Sequence, residues 1–339
     1  MESMLDRLLT SRQTDYYRAK CVVSARYLGI PATGQRLTVP KIPRSLQNNL
    51  VAVGVSLKSV ARRCTQEPCI LFMLKRKMPK GQLLRSERIP KTVGGVPTDV
   101  VGSQYIRVGT DPESGATGVS AEMLQSGARI SVTGKLEHSG TLGGFMRDAA
   151  GARYLITNFH VLSPNLSKDG LGKPVFLHLP AEEPRRVGEV SHLVEWKRPG
   201  VNEVDLGAAR IDPDVRVSYD IPEVGVVSGL AKVAATKVSK RGAESKVTTG
   251  GRIKGGNFNF SYRDGAKVYR FRNMHFVTPG KFAKRGDSGS LVVRSSDTSL
   301  MAVYMAESGS SRNIVFDASR VRNKGNLPEL EWCFSDPGD

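Results

Sequence analysis

Apolar residues along this chain gather into short runs separated by Gly, Pro, Asp and Ser, a pattern that predicts strands and turns far more often than helices. The exception is the start. There Met4-Leu5, Leu8-Leu9 and Tyr16-Tyr17 recur at a helix-like spacing before Pro31, Pro40 and Pro43 break regular structure, so residues 1–45 read as an arm. Beyond it, Leu50–Leu57, Cys69–Leu74 and Thr98–Val108 predict strands, with a polar, helix-compatible link from Gly81 to Arg88. Gly94-Gly95 reads as a hairpin turn. Residues 46–110 thus form a small α/β module, and Asp111-Pro112-Glu113-Ser114-Gly115 makes a hinge behind it.

Past the hinge the strand pattern is denser. Tyr154 to Leu162 is an apolar, strand-like run that carries His160 and ends in a polar turn. Glu203 to Ile211 is a largely uncharged strand interrupted by Asp205, and burying a carboxylate there is expensive unless a partner accepts its charge. Gly286-Asp287-Ser288-Gly289-Ser290 then feeds the apolar run Leu291-Val292-Val293. A serine between glycines, preceded by an acid and followed by a strand, is how a tight turn exposes a hydroxyl nucleophile. That hydroxyl needs a base within hydrogen-bond reach and a group to orient the base. Of the five histidines, His138, His178, His192 and His275 lack a setting like that of His160. Taken singly, each residue also has a plain reading: a β-turn serine, a half-buried strand histidine, a strand-end acid.

In the order His160, Asp205, Ser288, with Gly-Asp-Ser-Gly around the last, the sequence resembles the chymotrypsin/trypsin-like serine peptidases. Ser139 to Phe145 resembles the start of the first barrel in the intracellular bacterial and plant branch of that family. Thr248 to Ile253 resembles the glycine-rich hairpin that opens the second, although Gly242 to Lys246 departs from the usual small-residue pattern. The likeness runs over residues 116–325, with 326–339 as a C-terminal tail. It implies a mainly β fold, a double six-stranded β-barrel preceded by the α/β module. It also implies an endopeptidase acting on protein or peptide substrates, with no cofactor and no metal. His160, Asp205 and Ser288 would be catalytic, and the amides of Gly286 and Ser288 would form the oxyanion hole. Ala302 to Ser308 would be the strand lining the substrate cleft. Phe282 falls at the base of the primary pocket by family position, and Glu307 on the cleft strand would supply a negative wall. Secreted relatives pair the acid before the nucleophile with a newly cut N-terminus. Here that acid is Asp287, and Lys91-Thr92-Val93-Gly94-Gly95 lies too far ahead of His160 for the role, so Asp287 is expected to find another partner.

Composition adds a compartment and a partner. The first residues carry acids and are followed by no long apolar run, which argues against a signal peptide or membrane span and for the cytoplasm. None of Cys21, Cys64, Cys69 and Cys333 flanks His160 or Ser288; Cys64 and Cys69 are spaced to close a small loop, but a cytosolic setting favours reduced thiols. The net charge of +18 is uneven: residues 1–110 hold 19 Lys and Arg against 6 Asp and Glu. Ala61-Arg62-Arg63-Cys64 and Lys75-Arg76-Lys77-Met78-Pro79-Lys80 concentrate it. Such a surface docks a nucleic acid or an activating acidic protein, or is simply solvated. The alternative to an enzyme is therefore a catalytically silent copy of the fold that recruits a partner through its basic third.

Overall fold

The computed structural model describes residues 15–31, 46, 48–60, 63–103, 106–108, 122–309, 312–323 and 326–335. Helix α1 (Asp15–Leu28) precedes the strands β1 (Leu50–Val60), β2 (Arg63–Leu74), β3 (Thr92–Val93), β4 (Val96–Gly102) and β5 (Ile106–Arg107). β6 (Leu124–Gln125) leads into a first set of strands, β7 (Arg129–Ser131), β8 (Gly140–Thr141), β9 (Gly144–Arg147) and β10 (Arg153–Thr157). The helical turn α2 (Phe159–Leu162) follows, and then β11 (Pro174–His178), β12 (Arg185–Val194) and β13 (Leu206–Ile211). Two short pairings, β14 (Val217–Ser218) with β6 and β15 (Asp220–Ile221) with β16 (Gly225–Val226), connect this set to the next. The second set is β17 (Lys237–Gly242), β18 (Lys246–Asp264), β19 (Lys267–Thr278), β20 (Leu291–Arg294), β21 (Leu300–Ser308) and β22 (Arg312–Asp317). β23 (Glu331–Cys333) returns to β9.

Both sets close. In the first the order is β9-β10-β13-β12-β11-β7, and β7 also pairs with β8, the first half of the strand that β9 continues. In the second the order β17-β20-β21-β22-β19-β18 is closed by β17 pairing with β18. Numbering the strands of each set one to six gives the same cyclic order, 1-4-5-6-3-2, in both, so the chain repeats one antiparallel barrel topology.

The uninterrupted apolar runs have a simple cause. A strand alternates its side chains between two faces, and here both faces are buried. In β10, Leu155 points into the first barrel while Tyr154 and Ile156 enter the layer between barrels. In β20, Val292 fills the second barrel while Leu291 and Val293 face that same layer. Burying each such aliphatic side chain contributes roughly 1.5–3 kcal/mol.

Three expectations shift. The strand expected through Leu162 ends at Thr157, because Val161 N–H turns back to Asn158 O and Ser163 N–H to Phe159 O, winding α2. His160 therefore sits on a helical turn. Thr248–Ile253 is no hairpin but the interior of β18, and the hairpin is at Gly242–Lys246, where Gly242 and Lys246 pair. Thr98–Val108 breaks after β4 and resumes as β5 on a different partner, β21.

The N-terminal strands extend the second barrel. β18 is 19 residues long, and past the stretch paired with β17 it pairs with β1, Ala52 opposite Phe260. β2 and β4 continue the same sheet, with two 3-10 turns (Lys80–Gln82, Arg85–Glu87) in the polar link and Gly94-Gly95 turning β3 into β4. α1 covers this sheet: Ala19, Val23 and Leu28 pack with Val53, Val55 and Phe72. The helix-like stretch at Met4–Leu9, Pro40, Pro43 and the Asp111–Gly115 hinge lie outside the described residues.

Candidate active site

His160, Asp205 and Ser288 come from three separated segments, and the structure buries all three in the layer between barrels, at 4%, 0% and 2% exposure. α2 holds His160 so that its backbone N–H reaches Asp205 Oδ1 at 3.3 Å and its ring Nδ1 lies 2.5 Å from Asp205 Oδ2. Asp205 precedes β13, and Asn158 at the start of α2 donates to its carbonyl oxygen at 2.8 Å. The carboxylate has a third donor: Trp196 Nε1–H reaches Oδ1 at 3.1 Å. The Trp196 ring packs against Phe159 and His160 on one side and against Tyr269 and Phe271 of β19 on the other, locking the acid's setting from both barrels.

Ser288 lies on the expected turn. Gly286 at φ +89° and Gly289 at φ +101° flank it, both in the region that favours glycine. The turn docks directly on the His160-bearing barrel. Thr141 N–H donates to Ser288 O at 2.8 Å, and Thr141 Oγ1 donates to Gly286 O at 2.8 Å. Close packing leaves no room for side chains here: a Cβ on Gly140 would lie 2.4 Å from Val161 Cγ2 and 3.0 Å from Ser288 O. Ser288 Oγ donates to Met305 O at 3.3 Å, while His160 Nε2 is buried without a hydrogen-bond partner. The pair His160–Asp205 is thus assembled, and the hydroxyl lies on the adjoining turn, hydrogen-bonded to β21.

Asp287 finds its partner in Lys240. The ammonium of Lys240 lies 2.8 Å from Asp287 Oδ2, and the amides of Glu244, Ser245 and Lys284 donate to the same carboxylate at 3.0, 3.0 and 2.8 Å. Burial works to raise this carboxyl's pKa, but Lys240 and the amide donors outweigh it, and the group lies below the usual carboxylate range. The unusual sequence Gly242 to Lys246 is explained here. It is the hairpin that clamps Asp287, and Glu244 also accepts Arg129 of the first barrel at 2.7 Å. A Cβ at Gly242 would meet Asp287 Oδ1 at 2.1 Å.

The two proposed substrate residues are placed differently. Phe282 is 2% exposed, packed in the core of the second barrel with its ring 5.6 Å from Lys240 Nζ. Glu307 is at the end of β21, half-buried, 4.0 Å from Arg285 and opposite Arg107 of β5.

No family model matches the sequence, and no curated protein does. Among solved structures, the Nocardiopsis protease NAPase is 16% identical over 62% of this chain and 99% of its own, with a TM-score of 0.45. Thermobifida fusca protease A is 17% identical over 63% and 100%, with a TM-score of 0.44, and Cellulomonas bogoriensis chymotrypsin is 15% identical over 62% and 100%, also at 0.44. Two closed barrels of one strand order already stand on the chain's own hydrogen bonds. The double antiparallel barrel rests on those hydrogen bonds, and the solved proteases are what the chain is similar to. His160 and Asp205 belong to the first barrel, Ser288 to the second, and the strands β1, β2 and β4 extend the second barrel's sheet.

Trp196 and Lys240 escaped the sequence reading. Trp196 is one of two tryptophans, nine residues ahead of an acid in a polar stretch, which is too general a signal. Lys240 stands in a strand whose residues from Val238 to Gly242 are all buried, so no alternation of polar and apolar positions marks it.

Proposed function

We propose that this protein is a serine endopeptidase acting on protein or peptide substrates in the cytoplasm. The observation that carries the reading is the 2.5 Å contact of His160 Nδ1 with a buried Asp205 carboxylate that Trp196 also holds. A carboxylate so placed fixes the tautomer with the proton on Nδ1, leaving Nε2 as the base. In the reaction Oγ exchanges Met305 O for that base. Oγ then attacks the scissile carbonyl carbon while His160 takes its proton and returns it to the leaving amine, and water repeats the sequence on the acyl-enzyme. The amides of Gly286 and Ser288 receive the oxyanion, each such donor being worth about 2.7–4 kcal/mol in the transition state. Because Asp287 is held by Lys240, the turn needs no newly cut N-terminus. A fluorophosphonate probe should label wild-type protein at Ser288 and leave Ser288→Ala unlabelled; wild-type protein that stays unlabelled under every condition that keeps it folded refutes the reading.

A second reading is favoured by one observation in the N-terminal strands. A cavity of about 690 Å³ is lined by Lys58, Arg76, Lys77, Lys80, Arg88 and Lys91. The two acids among its described lining residues accept backbone amides, Glu87 from Leu84 N–H and Asp99 from Ser59 N–H. This reading makes the basic third a docking site for a nucleic acid or acidic protein, with or without catalysis. Salt-sensitive retention of random-sequence RNA, lost in Arg76→Glu/Lys77→Glu protein, supports it, and retention unchanged by that charge reversal rules it out.

A further inference from the structure

Along one edge of β21, three segments succeed one another. Val303, Ala302 and Leu300 pair with β20. Tyr304 and Met305 are taken by the nucleophile turn: Gly289 N–H donates to Tyr304 O, Tyr304 N–H to Ser290 O, and Ser288 Oγ to Met305 O. The last two residues, Glu307 and Ser308, pair antiparallel with Arg107 and Ile106 of β5. The edge that continues directly from the serine is therefore filled by the chain's own N-terminal region. Its polarity is informative. Ile106 lies opposite Ser308 and Arg107 opposite Glu307, so β5 runs toward Ser288, the direction in which the acyl side of a peptide would approach the nucleophile. β5 is held in part by contacts of three side chains. Ser103 Oγ hydrogen-bonds Ser308 Oγ, Ile106 enters the apolar layer that contains Met305 and Ala306, and Arg107 faces Glu307 across the strands.

An exposed sheet edge accepts an extended peptide by adding it as a strand, and main-chain hydrogen bonds carry the affinity. Such an edge can hold one strand at a time. We infer that β5 is a tethered occupant of the substrate-strand site, and that Ile106–Arg107 must leave β21 before an extended substrate can pair with Glu307 and Ser308. This inference rests on the peptidase reading. It makes the N-terminal region a regulator acting by competition: a two-residue strand is weak enough to be displaced, yet its attachment keeps it at high local concentration. The burial of Ser288 and of His160 Nε2 in this structure fits a cleft whose edge is filled.

The test uses the full chain and two substrates. p-Nitrophenyl acetate needs Ser288 but no strand edge, whereas fluorescein-labelled casein must pair along β21. In an antiparallel ladder, facing residues alternate between exchanging both hydrogen bonds and exchanging none, so only one of Ile106 and Arg107 has its N–H in the ladder. Ile106→Pro and Arg107→Pro thus form a matched pair, one deleting a ladder donor and one not. The expected result is a rise of about fivefold in casein cleavage for one variant through a lower KM, the worth of one net backbone hydrogen bond. Ester turnover should stay within about twofold of wild type in both. Casein cleavage unchanged in both variants, with ester turnover intact, overturns the inference. If Ser288→Ala hydrolyses both substrates as fast as wild type, the peptidase reading itself has failed and takes this one with it.

Discussion

The ammonium of Lys240 lies 2.8 Å from Asp287 Oδ2, and neither side chain has any exposed surface. The pair is internal to the second barrel: β17 supplies the cation and the turn before β20 the anion. Removing one member of a buried pair strands the other charge, which costs about 3–5 kcal/mol. Lys240→Met should therefore lower the urea midpoint and, because Asp287 adjoins Ser288, slow fluorophosphonate labelling by more than tenfold. Labelling at the wild-type rate in folded Lys240→Met protein would show that the turn does not depend on this contact.

Trp196 offers a cleaner probe of the acid. Phenylalanine fits the aromatic cluster with Phe159, Tyr269 and Phe271 but cannot donate to Asp205 Oδ1. A hydrogen bond to a charged group is worth about 1.5–3 kcal/mol, so Trp196→Phe should reduce kcat by roughly 10- to 100-fold with KM little changed. Equal kcat in the two proteins would remove Trp196 from the positioning of Asp205.

His275 gives the fold a pH signature separate from catalysis. Burial, assisted by Arg320 and Lys20 and opposed by Asp317, lowers its pKa to about 4. The unfolded chain titrates near the ordinary histidine value of 6.5. Between these values the unfolded state holds more protons, so stability falls as pH drops through that window, by at most about 1.4 kcal/mol per pH unit for one proton. Below pH 4 this contribution levels off. Urea unfolding at a series of pH values should show the slope in wild type and a shallower one in His275→Gln; identical slopes would assign the acid sensitivity to other groups.

Much of this fold was legible because its strands are buried on both faces and so appear as apolar runs. Leu291-Val292-Val293 is readable without any tertiary knowledge. His160 was placed in the right segment but on the wrong element, since nothing local distinguishes a strand's last turn from a helical one at Asn158. His160, Asp205 and Ser288 stood out through their order and the glycines around the serine, and the structure buries all three in one layer. Lys240 was hidden, because a lysine in a strand is ordinarily solvated and only the barrel's closure brings it to Asp287. The pairing of β1 with β18 was equally hidden: it depends on β18 outrunning its barrel, a length that the interrupted pattern of Gly255-Gly256-Asn257 conceals.

Gly289 is the point at which the Ser288 turn touches the histidine-bearing barrel. A Cβ there would lie 2.2 Å from Thr157 Oγ1 and 2.3 Å from Thr141 O, and the residue's φ of +101° is outside what other residues readily adopt. Backbone strain of about 1–3 kcal/mol and overpacking of about 1–3 kcal/mol would add, so Gly289→Ala should lower Tm by roughly 5–15 °C. The second substitution Thr157→Ala removes the nearer obstacle but leaves the Thr141 carbonyl and the unfavourable φ. Gly289→Ala/Thr157→Ala should therefore recover only part of the lost Tm, and labelling of Ser288 should stay depressed in both. Full recovery by the double substitution would mean that a single side-chain collision, and not the backbone approach of the two barrels, is what demands glycine at this position.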